Sequence, residues 1–487
     1  MTKDNEKNAS AESAEAKMAA LMESEPEPVV TEGRISLGGE TVSYTATTGR
    51  LPVKNDKGEI EALLFFTAYT RTDAPKHINR PLTIAFNGGP GSSSVWLHMG
   101  ALGPKMAAMN PDGSLPPPPY TVSDNAFTWL DETDLLFIDP PGTGYSRTRD
   151  EETAKKFYGV EGDIQVLGEF IRLYLTRYQR WHSPLFLSGE SYGTTRAAGL
   201  AGHLTEKGIV FRGIILISTV LNFQTIIFGP GNDLPYALFL PTYAATAWYH
   251  GKLSDSWQSR ALSELLQESE TFAEGEYTSA LMKGDRLSIA ETERVAHRVA
   301  ELTGISADYV KRSALRVPPH QFRKELRRDE GILVGRLDSR LTGREGRGNS
   351  EAGEYDPAMS AIRPPYTAIF NAYVRDSLKF ETDLPYEILG GLYSSWDWGK
   401  NNHYADTANA LRSAMVKNPH LRVLNAAGYY DLATPHFAAE YTFSHLDLDP
   451  ALRQNVHFIY YEAGHMMYIE DSSLEKLKKD VADFLLR

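Results

Sequence analysis

The sequence predicts an α/β fold, a mostly parallel central sheet with helices on both faces, and three observations predict it. Short apolar runs bounded by Gly, Pro or polar residues recur at "PLTIAF" (81–86), "DLLFID" (134–139), "PLFLSG" (184–189) and "RGIILIS" (212–218), the pattern of strands buried on both faces. Helical periodicity fills the spaces between them. The same rhythm returns near the end of the chain after a long interruption.

Ahead of these runs, "TVSYTAT" and "ALLFFTAYT" alternate in the manner of antiparallel strands, separated by the turn signals "LGGE" and "KNDKGE". In "GDIQVLGEFIRLYLTRYQRW", Ile164, Leu167, Phe170, Ile171 and Tyr174 recur at three- and four-residue steps and form one apolar stripe. "YGTTRAAGLAGHL" reads as a second helix, whose small residues permit close packing on a sheet. From about Asn222 the strand pattern stops. "LPYALFLPTYAATAWYHG", "SDSWQSRALSELLQESETFAEG" and "ISADYVKRSALRV" read as helices, and residues 340–356 as an exposed loop. Strands resume at "LRVLNAAG" (421–428) and "NVHFIYYEAG" (455–464), and a helix closes the chain. The parse is therefore a core of residues 34–221 and 413–487 interrupted by a mainly helical cap, 222–412. Residues 1–33 read as a disordered acidic tail.

With 42% hydrophobic and 23% charged residues the chain has ordinary globular composition. A net charge of −13 argues against a general affinity for nucleic acid or anionic membrane surfaces, which require clustered Lys and Arg. There is no cysteine, so disulfides and thiolate chemistry are excluded. No metal-ligand spacing occurs, and no cofactor is expected. The first 34 residues lack the apolar core of a signal peptide, so a cytoplasmic location is expected unless a leader has been removed. Oligomeric state is not legible.

The chemistry-bearing stretch is "SGESYGTTRA" (188–197). Gly189-Glu190-Ser191-Tyr192-Gly193 fits G-x-S-x-G, although composition alone gives such a match in roughly one chain of this length in six. Its position where a buried strand turns into a helix makes Ser191 a candidate nucleophile. A serine hydroxyl needs a base, and the base needs a group that holds its tautomer. In α/β hydrolases the acid and then the histidine follow the serine, on loops after the last strands. Asp431 in "AAGYYDLATP" and His465 in "YYEAGHMMY" occupy those places. Asp139 is the rival acid, but it precedes Ser191 and its "IDPPGTGYS" context reads as a rigid turn. His98, His203 and His457 read as structural. "FNGGPGSSS" (86–94) offers unobstructed backbone N–H groups to an oxyanion.

Taken together, "NGGPGSSS" (87–94) followed by "GALGP", "DPPGTGYS" (139–146), "GESYG" (189–193) and the Asp431 and His465 loops make the chain resemble the serine carboxypeptidases, which have the α/β-hydrolase fold. The resemblance implies that Ser191 attacks, that His465 acts as general base and then acid, and that Asp431 orients it. It also implies an oxyanion hole from the N–H groups of Gly89 and Tyr192, with Asn87, Gly88 and Glu190 recognising the carboxylate of a peptide substrate with a free C-terminus. Three positions depart from the family pattern. Ala101 stands where a second glutamate is usual, Ala85 where an aromatic residue is, and Ser92 where a cysteine is common. Losing one of two carboxyls that share a proton predicts a pH optimum nearer neutral than the family's acidic one. An esterase, an acyltransferase or a proline-releasing aminopeptidase of the same fold remains open as an alternative. So does a non-catalytic binding module, although three intact triad positions argue against it.

Overall fold

The computed structural model describes residues 22, 27–74, 79–346, 348, 350–399 and 403–486. A ten-stranded sheet organises them. Its main strands are β1 (Val29–Leu37), β2 (Glu40–Lys54), β3 (Ile60–Arg71), β4 (Leu82–Phe86), β5 (Asp134–Ile138), β6 (Leu185–Glu190), β7 (Gly213–Ile217), β8 (Arg422–Gly428) and β9 (Val456–Tyr461). The spatial order is β1-β2-β3-β5-β4-β6-β7-β8-β9, and the tenth strand, Arg147–Thr148, pairs with β3. The β1–β2, β2–β3 and β3–β5 pairs are antiparallel. From β5 to β9 every pair is parallel. Every residue of β4, β5, β6 and β7 is buried, which is why these strands read as continuous apolar runs instead of alternating ones. The result is an α/β-hydrolase fold.

Two differences from the sequence reading concern the margins. The sheet begins inside the segment read as a tail, because Val29–Gly33 pair in register with Thr48–Tyr44. Alternating half-buried and exposed side chains there gave no apolar signal. The rest of that segment lies outside the described residues, apart from Met22, Glu27 and Pro28. The second difference falls in the loop read over 340–356, where Thr342–Arg344 pairs with Ile332–Val334 as a small hairpin. Glu345, the next residue, is buried in an ion pair with Lys324, a partner too distant in sequence to be foreseen.

Helix α1 (Val160–Arg177) and helix α2 (Tyr192–Glu206) pack on the sheet, and α2 also receives α5 (Ala408–Lys417), where Gly202 has no room for a Cβ against Ala410. Between β7 and α5 the chain is mainly helical, including α3 (Leu234–Tyr249) and α4 (Pro357–Asp376). α1 and α2 are joined beneath the site by a fully buried ion pair, Arg196 Nε to Asp163 Oδ2 at 2.7 Å. Arg196 also donates to the carbonyl of Asn87. Its guanidinium lies 5.4 Å from the Phe86 ring centroid and 5.3 Å from that of Tyr192.

Breaking such a pair strands an uncompensated charge in the interior. Asp163→Ala should therefore lower unfolding stability by about 3–5 kcal/mol in a urea titration, and Asp163→Leu combined with Arg196→Met should recover most of that loss. A single variant as stable as wild type would show that the charge is not held by this pair.

Candidate active site

Ser191 sits between β6 and α2 with φ 59° and ψ −129°. Such a conformation is costly for a non-glycine residue and persists only where surroundings impose it. Here the Ser191 N–H donates to the carbonyl of Ile217 at 3.0 Å. The tight turn requires its glycines: a Cβ at Gly189 would lie 2.2 Å from the Gly193 carbonyl oxygen, and one at Gly193 would lie 2.7 Å from that of Phe86.

His465 follows β9, and Asp431 follows β8. Their Nδ1 and Oδ2 atoms are 2.7 Å apart, and Asp431 is fully buried. The carboxylate is saturated locally. Its Oδ1 accepts from the N–H groups of Ala433 (2.7 Å) and Thr434 (3.1 Å), and its Oδ2 accepts from Thr434 Oγ1 (2.7 Å). Burial by itself would lower the His465 pKa, but the charge and hydrogen bond of Asp431 outweigh it and raise the pKa above the usual histidine value. Among the described residues no hydrogen bond engages the other ring nitrogen, Nε2. The rival acid Asp139 is engaged elsewhere, accepting from the Ser94 N–H at 2.9 Å and from Tyr386 Oη at 3.3 Å. His98 is a buried core residue against Tyr69 Oη (2.7 Å), its pKa lowered to about 3 by desolvation.

Ser191, His465, Asn87, Gly88, Gly89, Glu190 and Tyr192 line one cleft of about 310 Å³, with Asp431 directly behind His465. A Cβ at Gly88 would lie 2.4 Å from the Tyr192 amide nitrogen, so only glycine leaves that N–H accessible. Among the described residues neither the Gly89 nor the Tyr192 N–H is consumed by another hydrogen bond. Asn87 accepts the Leu97 N–H through Oδ1 at 3.0 Å, while its buried Nδ2 makes no hydrogen bond of ordinary geometry among the described residues, although it lies close enough to Glu190 to oppose the rise in that carboxyl's pKa. A buried amide donor without a well-aligned partner costs free energy and leaves room for a better acceptor.

Glu190 is buried beside it and accepts from Tyr468 Oη at 2.5 Å. Desolvation pushes its pKa up to about 7, against the opposing effects of His465 and the Tyr468 hydrogen bond. Tyr468 was not singled out from the sequence; no local signal marks it, since it lies 278 residues from Glu190. It packs against Gly100, next to Ala101, and supplies Glu190 with a hydroxyl partner. Ser92 accepts from Trp96 Nε1 at 2.7 Å and its loop is tied to a returning segment by the Ser93 N–H to Ile388 bond. Thr434 was likewise missed, although its spacing from Asp431 is that of a local side-chain turn. In the aromatic stretch "YSSWDWGKNNHY" (393–404), Tyr393 lines the cleft and Trp396 and Trp398 pack against Tyr192, while residues 400–402 lie outside the described residues.

The family model for serine carboxypeptidases matches residues 38–455. The pheromone-processing carboxypeptidase KEX1 of Saccharomyces cerevisiae is 32% identical over 160 residues, 30% of this chain and 20% of that protein. Serine carboxypeptidase-like 46 of Arabidopsis thaliana is 26% identical over 227 residues, 45% of this chain and 42% of that one. The chain thus spans less than half the length of these relatives. The crystal structure of the yeast prohormone-processing carboxypeptidase superposes with a TM-score of 0.57 at 17% identity, covering 91% of each chain. The cytoplasmic location expected from the N-terminal composition is contradicted by these relatives, among them a yeast enzyme that processes pheromone and prohormone. A charged N-terminus is a weaker indicator than membership of a family. By the match over residues 38–455, the chain belongs to the serine carboxypeptidase family.

Proposed function

We propose that this protein is a serine-type carboxypeptidase that releases C-terminal residues from peptides through an acyl-enzyme. The observation that carries this reading is the meeting of Ser191 and His465 in one cleft, with the far side of the imidazole held 2.7 Å from a buried, saturated Asp431. Ser191 Oγ attacks the scissile carbonyl carbon while its proton passes to His465 Nε2, and Asp431 offsets the imidazolium charge. The carbonyl oxygen becomes an oxyanion that accepts from the N–H groups of Gly89 and Tyr192. His465 then protonates the departing amine. Water, deprotonated by His465, attacks the acyl carbon, and the bond to Ser191 Oγ then breaks as His465 returns the proton to Oγ, releasing the shortened peptide.

The free carboxylate of the substrate is held by Asn87 and Glu190, with Gly88 keeping the floor of the subsite open. One carboxylate oxygen accepts from Nδ2–H of Asn87 and the other from Glu190, which donates only while protonated. Its pKa of about 7 supports that state on the acid side of neutrality. Residues 34–221 and 413–487 act as the core, with α5 straddling the return. Residues 222–412 act as a mainly helical cap that shapes the cleft, contributing Met359, Leu389 and Tyr393 to its lining.

Ser191→Ala should lower kcat on a blocked dipeptide by about a thousandfold or more, abolish labelling by a fluorophosphonate and leave the thermal midpoint unchanged. Unaltered turnover would remove Ser191 from the mechanism. The C-terminal amide and an aryl ester of the same peptide test the second half of the proposal: equal cleavage of the amide would discard carboxylate recognition while keeping the triad. Because Glu190 loses its proton as pH passes about 7, KM for free-acid peptides should rise there. kcat should fall as pH drops through the raised pKa of His465, where the imidazole takes up a proton. Glu190→Gln keeps a donor at every pH and should flatten the rise in KM; a rise that persists in this variant assigns the effect to another group.

A further inference from the structure

Apart from tyrosines, three ionisable side chains line the cleft: Glu190, His465 and Arg336. The first two have work in the proposed reaction. Arg336 has none so far.

The backbone at Arg336 is fixed from three directions. Its N–H donates to Asp356 Oδ1 at 2.8 Å. Its carbonyl accepts from Leu432, the residue after Asp431, at 3.0 Å. The carbonyl of the next residue, Leu337, accepts the His465 N–H at 2.6 Å. A segment far from both loops in sequence is thereby clamped between those carrying Asp431 and His465. The Arg336 side chain, by contrast, is exposed, and among the described residues no hydrogen bond or ion pair engages its guanidinium. Neighbouring cations are neutralised within the chain: Arg340 by Asp338 and Glu470, Lys324 by Glu345. Asp356 is not available, since it accepts the N–H groups of Arg336, Leu337 and Ala358 and lies 3.6 Å from Arg323. In a protein with 63 acidic and 50 basic residues, a rigidly mounted and unpaired guanidinium beside the reacting groups is a site for an anion from outside. Its planar fork of donors matches a carboxylate.

Resting on the carboxypeptidase reading, we propose that Arg336 is a specificity-determining residue that selects peptides carrying an acidic side chain next to the scissile bond. The substrate's terminal carboxylate already has two donors in Asn87 and Glu190, so the additional cation serves a second carboxylate. Leu337, the next residue, and Met359 and Ile362 give the same cleft apolar walls, so among the described residues the guanidinium is the one cationic group there besides His465 that a substrate side-chain carboxylate can meet.

The test uses N-blocked dipeptides with a free C-terminus, carrying Glu or Gln at each of the two positions. Wild type should prefer Glu over Gln at one position by about tenfold in kcat/KM, chiefly through KM. Arg336→Gln should bring that ratio close to one, and Arg336→Lys should retain part of it. A wild-type ratio of one at both positions, or a ratio unchanged in Arg336→Gln, overturns the proposal. Equal weakening of Glu and Gln peptides in Arg336→Gln would mean that the guanidinium holds the terminal carboxylate, and side-chain selection would fall. Cleavage of the Gln peptides by wild type, lost in Ser191→Ala, reports separately on the underlying carboxypeptidase reading; without any such cleavage both fall.

Discussion

The arrangement of the site depends on the buried guanidinium of Arg196. Projecting from α2, one turn beyond the strained Ser191, it pairs with Asp163 of α1 and donates to the carbonyl of Asn87 after β4. Three elements that meet at the carboxyl edge of the sheet are thus held by one planar group, with the rings of Phe86 and Tyr192 within cation–π distance of it. Burying this pair costs desolvation of both ions, and it is retained where packing alone would not fix direction. Its consequence is positional: the Asn87-Gly88-Gly89 backbone is brought onto the first amides of α2, so closely that Gly88 admits no Cβ against the Tyr192 nitrogen.

The other side of the cleft is assembled by long-range backbone hydrogen bonds. The segment 336–339 meets both loops at the ends of β8 and β9: Leu432 donates to Arg336, His465 donates to Leu337, and Ser339 donates to Tyr430. Asp338 adds a bond from the Gly464 N–H at 3.2 Å and is itself paired with Arg340. A second returning segment is stitched to the glycine-rich loop by Gly390 N–H to Gly91, and to the "DPPGTGYS" loop by reciprocal bonds between Gly144 and Glu387. These contacts put side chains from the interrupting region into the same cleft as Ser191, and they give the proposed acid and base a rigid mount despite lying on loops.

Glu190 illustrates how a departure from a family pattern is compensated. With Ala101 where a second glutamate is usual, the carboxyl lacks that glutamate as a partner with which to share a proton. Burial, with a smaller contribution from the charge of Asp431, nonetheless raises its pKa to about 7, and Tyr468 donates to Oε2. A hydroxyl partner, unlike a second carboxyl, carries no charge that would drive the pKa higher still.

The sequence by itself determined the fold and the principal candidates of the site. Strands buried on both faces leave uninterrupted apolar runs, and a serine at a strand-to-helix turn leaves its glycines in place, because each of these constraints is local. The candidates Ser191, Asp431 and His465 could be named for the same reason: each residue follows a recognisable strand. Tertiary structure alone decided that Tyr468 meets Glu190, that Lys324 buries Glu345, that Val29–Gly33 join the sheet, and that Arg336 stands unpaired beside His465. Each of these depends on which distant segments meet, and a side chain's partner across tens or hundreds of residues leaves no periodicity or spacing in the chain that encodes it.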